Sequence, residues 1–357
     1  MPRLPQFAND ASIAVVILNW NGWRDTLECL ESVYQSQSVS LRVIVCDNGS
    51  QDDSLAKIAA WAQGTLHAPV QASFLTGGAT AIAKPVAFAQ YDRGQAETGG
   101  VASEQAPLVL IQTGANLGFA GGNNVGLRYC LTHGGFDYVW ILNNDTAVER
   151  HALAHLVERM QADPRVGMCG SKLIFYHRPD MVQAYGGSAF DPRLGVVRPL
   201  GQFQPTSAVC RPAEIEKETA YVVGASMLVS TQFLKAVGLM SEDYFLYFEE
   251  IDWAFRARGQ FTLAYSDPSV VYHKEGGSIG SSSTGEPSVT STRYLYRNRV
   301  LFNWKFNRTH FMCCLLQIGF ELLVLTRRKH FKTARAALWA TVSIVFQLIH
   351  LDHANRK

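Results

Sequence analysis

The sequence predicts an α/β fold, Rossmann-like, around a mostly parallel central sheet. Three observations carry this. Four short apolar runs have strand length, helical patterns lie between them, and each run closes on a polar or glycine-rich turn. Strands alternating with helices imply a parallel, doubly wound sheet. All four turns then crowd one rim, where open sheets of this kind hold ligands.

The first run, residues 13–18, ends in Asn19-Trp20-Asn21-Gly22, and Leu27, Leu30, Val33 and Tyr34 then share one helical face. The second, 41–46, ends in Asp47-Asn48-Gly49-Ser50, and residues 54–62 read as helix. Asp47 is placed to accept hydrogen bonds from a base or ribose; an Asx-turn accounts for it equally well. The third run, 108–111, leads into a turn from Gly114 to Gly122, whose backbone must take positive φ and approach a ligand closely. Asn116 and Asn123 within it are able to hydrogen-bond phosphate or sugar. The fourth, 138–142, stops on Asn143-Asn144-Asp145-Thr146. Asp145 is thereby a candidate to hold a metal and, through it, a phosphate. The plainer alternative is a cap, from Asp145 or Thr146, on a helix over about residues 147–160.

No G-x-G-x-x-G follows the first strand and no G-x-x-x-x-G-K-[ST] loop occurs, which excludes the common dinucleotide and phosphate-loop sites. A second acidic cluster, Glu249, Glu250 and Asp252, lies among aromatics and is followed by Arg256 and Arg258. Three acids so close repel one another unless they face water, as at a solvated helix start. Apolar neighbours such as Phe248 and Trp253 would raise a carboxyl toward the range of a general base. His273 follows a short apolar strand; a lone histidine is more often packed than ligating.

These residues, taken together, resemble the inverting family 2 glycosyltransferases with a GT-A fold, in their rhamnosyltransferase-like branch. The match runs through ILNWNG (17–22), CDNGSQDDS (46–54), TGANLGFAGGNNVG (113–126), ILNNDT (141–146), VVGASMLV (222–229), FLYFEEIDWAFRARG (245–259) and VYHKEGGSIG (271–280). It covers residues 12–305, with 1–11 left as a tail. The resemblance implies donor-binding roles for Asn19, Asp47, Asn116, Gly118, Gly121, Asn123 and Asn144. It sets Asn143-Asn144-Asp145 at the D-x-D position, where Asp145 binds Mg²⁺ or Mn²⁺ with Asn143 as a neutral ligand. His273 completes the metal site within an H-x-x-G-x-S pattern with Gly276 and Ser278. Glu250 occupies the base position, flanked by Glu249 and Asp252, and Glu there in place of the usual Asp leaves the choice between the two glutamates open. An inverting transfer needs one base for the acceptor hydroxyl, and a metal-neutralised diphosphate leaves without a protein acid. The implied partners are a nucleotide-sugar donor, dTDP-rhamnose by resemblance, and a saccharide or polyprenyl-diphosphate-linked acceptor. UDP-galactofuranose or a UDP-hexose is the alternative donor. A non-catalytic nucleotide-sugar or glycan-binding module is the alternative class, against which Asp145, Glu250 and His273 together argue.

The 357 residues carry a net charge of +2, which points to no nucleic-acid partner. Seven cysteines without C-x-x-C spacing read as reduced core residues, as suits the cytosol, and residues 13–18 are too short for a signal peptide. Residues 64–107 lack periodicity and read as an insertion or mobile loop. Residues 276–292, rich in Gly and Ser, read as a loop able to close over donor. Arg293, Arg297 and Arg299 then follow, as contacts for diphosphate or lipid or as a solvated helix face. From 306 onward two apolar stretches, 311–325 and 336–349, flank Arg327-Arg328-Lys329-His330. Each is short for a span, so the expectation is an anchor on the anionic inner face of the cytoplasmic membrane. Packing on the catalytic domain, or a homodimer through these helices, is the alternative.

Overall fold

The computed structural model describes residues 11–36, 40–68, 82–274 and 288–354. The amino-terminal half is β1 (Ser12–Asn19), α1 (Trp23–Tyr34), β2 (Ser40–Asp47), α2 (Ser54–Gln63), β3 (Phe88–Asp92), α3 (Arg93–Glu97), β4 (Leu108–Gln112), α4 (Gly118–His133) and β5 (Tyr138–Asn143). Next come β6 (Thr146–Val148), α5 (Ala152–Ala162), β7 (Val166–Phe175), β8 (Arg178–Tyr185), β9 (Gly187–Asp191), β10 (Val196–Pro199), α6 (Pro212–Glu218), β11 (Tyr221–Val222) and β12 (Ser226–Ser230). The chain closes with α7 (Thr231–Val237), α8 (Glu249–Arg256), β13 (Thr262–His273), α9 (Val289–Phe306), a 3₁₀ turn at Arg308–His310, α10 (Phe311–Arg327) and α11 (Phe331–Ala354).

The main sheet runs β3-β4-β2-β1-β5-β12-β7-β13-β6, with β8 paired to β7. From β3 to β5 every neighbour is parallel, as near-continuous apolar strands buried on both faces require. Register brings Asn19 level with Asp47, Asp47 with Gln112, and Leu18 with Asn143, so the four predicted turns do meet on one rim. Helices cover both faces over two apolar clusters, one around Trp61 and Trp140, the other around Tyr129 and Trp253.

Two expectations about elements change. The segment expected as an insertion or mobile loop at 64–107, of which 69–81 lie outside the described residues, carries regular structure: Phe88–Asp92 adds an edge strand on β4, and a capping box between Asp92 and Gln95 starts α3. The segment is short of long-range periodicity because the strand has only five residues. After Asp145 the chain does not enter a helix at 147. Thr146–Val148 instead pairs antiparallel with the end of β13, setting Thr146 opposite His273, and the helix begins at Ala152. That crossing is what brings Asp145 to His273.

A third cluster joins Tyr244, Phe248 and Ile251, beside the acidic helix, to Phe302 of α9, Ile318 of α10 and Ala337 of α11. The carboxyl-terminal helices therefore share a core with the segment that carries Glu249 and Glu250.

Candidate active site

A cavity of about 600 Å³ opens at the carboxyl rim of the parallel strands. Asn143, Asn144, Asp145 and His273 line one side, and Glu249 and Glu250 another. Asn116, Gly118, Phe119 and Trp20 contribute from the glycine-rich turn and the β1 turn, and Tyr294 from α9.

At the metal-candidate end, His273 Nε2 lies 3.1 Å from Asp145 Oδ1 and 3.4 Å from Asn143 Nδ2. His273 Nδ1 donates to Gln183 Oε1 at 2.9 Å, within a buried pair. The backbone holds this geometry from both sides, because Lys274 N donates to Asp145 O and Tyr176 N to His273 O, each at 3.0 Å. Lys274, the cation beside the pair, is committed elsewhere: its ammonium meets Asp25 and Glu28 at 2.6 Å each. It ties α1 to this corner rather than reaching into the cavity. Among the described residues no three His, Cys, Asp or Glu side chains are grouped so as to hold a metal ion by themselves. A cation here would take Asp145 and His273, with Asn143 joining once its amide turns the oxygen inward, and would draw its remaining ligands from substrate.

At the other end, α8 begins on two consecutive left-handed residues, Tyr247 (φ 68°) and Phe248 (φ 74°). Such conformations cost on the order of 1–3 kcal/mol each for non-glycine residues and persist only where surroundings over-determine them. Here the restraints are explicit. Asn298, fully buried on α9, donates its amide to Leu246 O at 2.7 Å and Tyr247 O at 3.1 Å. Phe119 N donates to Phe245 O at 2.8 Å. Gly118 (φ 73°) lets that contact form, since a Cβ there would collide with the Phe245 carbonyl. Trp253 and Ile251 then anchor α8 in the core; truncating a buried tryptophan costs roughly 3–5 kcal/mol.

The two glutamates differ. Glu249 is 2% exposed, and its Oε2 has no hydrogen-bond partner. Burial, reinforced by the neighbouring Glu250, pushes its carboxyl well above the usual range. Glu250 is half-buried, and its Oε1 accepts from Gly224 N at 3.2 Å. Burial raises it as well, partly offset by backbone hydrogen bonds. A Cβ on Gly224 would stand 2.8 Å from that Oε1 and from the Phe119 ring, so glycine is what admits the carboxylate.

Several expected site residues lie elsewhere. Asp252 is 1% exposed and outside the cavity. Arg256 Nε donates to it at 2.7 Å, while the rest of that guanidinium holds Val237 O and Leu239 O, so it pins α8 to the preceding loop. Asn19 and Asp47 are buried beneath the rim. Asp47 accepts from Asn19 Nδ2 (2.7 Å), Gln112 Nε2 (3.0 Å) and Ser50 N (3.2 Å), leaving the cavity wall to Asn48 and Trp20. Asn144 joins that network by donating to Thr26 Oγ1 at 3.1 Å while still bordering the cavity. Gly121 and Asn123 fall inside α4, which starts at Gly118, and the Asn123 amide donates to Phe119 O at 2.9 Å. Neither reaches the cavity, because the expected turn winds into helix five residues early. Arg299, 5% exposed, donates to Leu194 O, Gly195 O and Glu321 and is structural. Arg297 is held by Asp243 O and Asn298 Oδ1. Gly276, Ser278 and most of the loop expected at 276–292 lie outside the described residues. Reasoning from sequence missed Gln183, Gly224, Phe119 and Tyr294 as lining residues; only Gly224 and Phe119 sat in motifs already singled out.

Residues 91–188 match the sequence profile described as Glycosyl transferase family 2. A curated relative, the low-salt glycan biosynthesis hexosyltransferase Agl10 of Haloferax volcanii, is 26% identical over 151 residues. That alignment takes in 42% of this chain and 45% of the relative, so the chain spans less than half the length of the curated relative it matches. Among solved structures, the mannosyltransferase PcManGT from Pyrobaculum calidifontis, in complex with GDP-Man and Mn²⁺, superposes with a TM-score of 0.51 at 16% identity. The match covers 96% of this chain and 79% of that one. The fold is GT-A: a mostly parallel central sheet with helices, extended by carboxyl-terminal helices. Over part of its length the chain is thus similar to family 2 glycosyltransferases.

Proposed function

We propose that the chain is a metal-dependent inverting glycosyltransferase that moves a sugar from a nucleotide-sugar donor to a saccharide or polyprenyl-lipid-linked acceptor, in cell-surface polysaccharide synthesis. The observation that carries this reading is one cavity holding Asp145 with His273 at one end and a half-buried, pKa-raised Glu250 at the other. dTDP-rhamnose is the favoured donor on motif resemblance alone, with UDP-galactofuranose or a UDP-hexose as alternatives. The same resemblance, with the reduced cysteines, favours work at the inner face of the cytoplasmic membrane.

Glu250 would take the acceptor hydroxyl proton as the new glycosidic bond forms and the nucleoside diphosphate departs from the opposite face. Burial raises both carboxyls, Glu249 more strongly, so Glu250 is the one that ionises more readily. Asp145, Asn143 and His273 fit a divalent cation. With Nδ1–H given to Gln183, His273 turns the lone pair of Nε2 toward Asp145 Oδ1, two ligand atoms converging on one point. A bound cation would neutralise the diphosphate as it leaves; Mg²⁺ and Mn²⁺ both take oxygen, and imidazole suits Mn²⁺ better.

The test is a donor panel read by thermal shift and by nucleoside diphosphate release, with and without Mn²⁺ or Mg²⁺. One nucleotide sugar should stabilise the chain, and only with metal. If none shifts its unfolding under any metal, the reading fails. A second expectation concerns Gln183. Partners that orient a metal-bound histidine are worth about 10–100-fold in metal affinity. Gln183→Leu should therefore weaken Mn²⁺ binding in the presence of nucleoside diphosphate on that scale, measured by the free Mn²⁺ resonance signal. Unchanged affinity would mean that Gln183 does not set the tautomer.

A further inference from the structure

We infer that α10 and α11 dock together in the plane of an anionic bilayer and hold the cavity mouth at its surface. The apolar residues left outside on the two helices repeat the same spacing. On α10 they are Met312, Leu316, Phe320 and Leu323, each at least 60% exposed. On α11 they are Leu338, Val342, Phe346 and Ile349. Steps of four, four and three residues keep each set on one face of its helix. The exposed charges on the two helices are all of one sign.

Those charges are Arg327, Arg328, Lys329, Lys332 and Arg335, gathered at the turn between the helices. The acids of the two helices, Glu321 and Asp352, are both engaged, by Arg299 at 2.9 Å and Arg308 at 3.5 Å. Apolar stripes edged only by cations match the interfacial zone of an anionic leaflet. Trp339, 62% exposed, suits the same depth.

The segment Arg308–Arg327 is long and apolar enough to cross a membrane, with 20 residues at mean hydropathy 1.6. Glu321 argues for lying flat instead. It accepts from Arg299 and from Tyr296 Oη at 2.9 Å, and Arg299 is itself fixed to the Leu194 and Gly195 carbonyls. Crossing would strip the carboxylate of these partners and carry it into hydrocarbon. Kept on the domain, α10 offers only its outer stripe. The link to the cavity is α9: Thr290 and Tyr294 line the mouth, while Arg293 lies 5.4 Å over the Trp339 ring. Docking itself does not depend on the transferase reading; delivery of a lipid-linked acceptor to the mouth does.

The test is flotation of the full-length chain, without nucleotide, on phosphatidylcholine vesicles with and without phosphatidylglycerol. The chain should float with anionic vesicles and be released by alkaline carbonate. The triple variant R328E/K332E/R335E should bind at least about tenfold more weakly. L316E/F346E should not float, while its unfolding temperature and its nucleoside diphosphate binding stay as in the wild type, since both positions are exposed. A wild-type chain that ignores anionic vesicles overturns the inference, and sedimentation as a dimer would then assign the face to a second copy. Resistance to alkaline carbonate overturns the in-plane geometry in favour of crossing. Loss of donor binding in the wild type would sink the transferase reading and leave the flotation result standing.

Discussion

Glu250→Gln should lower the rate of sugar transfer by about 10²-fold or more, the scale for losing a general base, while donor affinity stays nearly intact. The amide keeps the shape and can still accept from Gly224 N, so the cavity is not rebuilt. Glu249→Gln is the control. Burial raises Glu249 well above the ordinary glutamate range and so favours the protonated form, which glutamine imitates; most of the rate should survive. The pH profile separates the two. Burial raises Glu250, so transfer should increase with pH along a limb lying above the ordinary glutamate range of about 4.3. That limb should persist in Glu249→Gln and vanish in Glu250→Gln. Stability runs the other way: the folded chain binds the Glu249 proton more tightly than the unfolded chain does. Its contribution is complete below the ordinary glutamate value and is lost as pH rises through the raised folded value. Thermal unfolding followed against pH should flatten in Glu249→Gln. If Glu249→Gln shows the larger loss of rate, the roles of the two glutamates are exchanged.

The parallel half of the sheet was legible because its strands are continuous apolar runs with polar stops, a signal local to each run. Asp145, Glu250 and His273 were legible for a related reason, since each sits at the stop of an element or in an acid cluster. What sequence could not supply was the partner across the fold. Asp47 and Asp252 look like Asp145 in the chain, but Asp47 is enclosed by Asn19 and Gln112, and Asp252 by Arg256. Whether a carboxylate faces a cavity or a donor depends on residues far along the chain, as Gln112 lies 65 positions from Asp47. Gln183 meets His273 across 90 positions and sits in a strand with no polar stop, so nothing marked it. The edge strand at 88–92 was hidden by its brevity. Asn298 illustrates the same limit: an asparagine inside a helix pattern gives no hint that it holds the Leu246 and Tyr247 carbonyls, at the strained start of α8, some fifty positions earlier.

Asp145→Ala should abolish turnover and most of the metal-dependent stabilisation by nucleoside diphosphate. The effect should be large because the protein brings little else to the cation. Asn143 is neutral, His273 supplies one nitrogen, and Lys274, which would otherwise stand in as a positive charge, is locked to Asp25 and Glu28. Removing Asp145 takes away the one carboxylate and leaves His273 Nε2 facing an empty corner. The fold should tolerate the change: the hydrogen bonds that shape this corner run through the Asp145 backbone, and Thr146–Val148 keeps its pairing with β13. Asp145→Asn separates charge from shape, since it preserves size and one acceptor oxygen while removing the negative charge. It should retain part of the Mn²⁺ affinity and lose most of the rate. The measurement is titration with Mn²⁺ at fixed nucleoside diphosphate, by calorimetry and by unfolding temperature, alongside transfer assays. An Asp145→Ala protein with near-normal activity in Mg²⁺ or Mn²⁺ would remove Asp145 from the metal site and return it to the role of a strand-end residue.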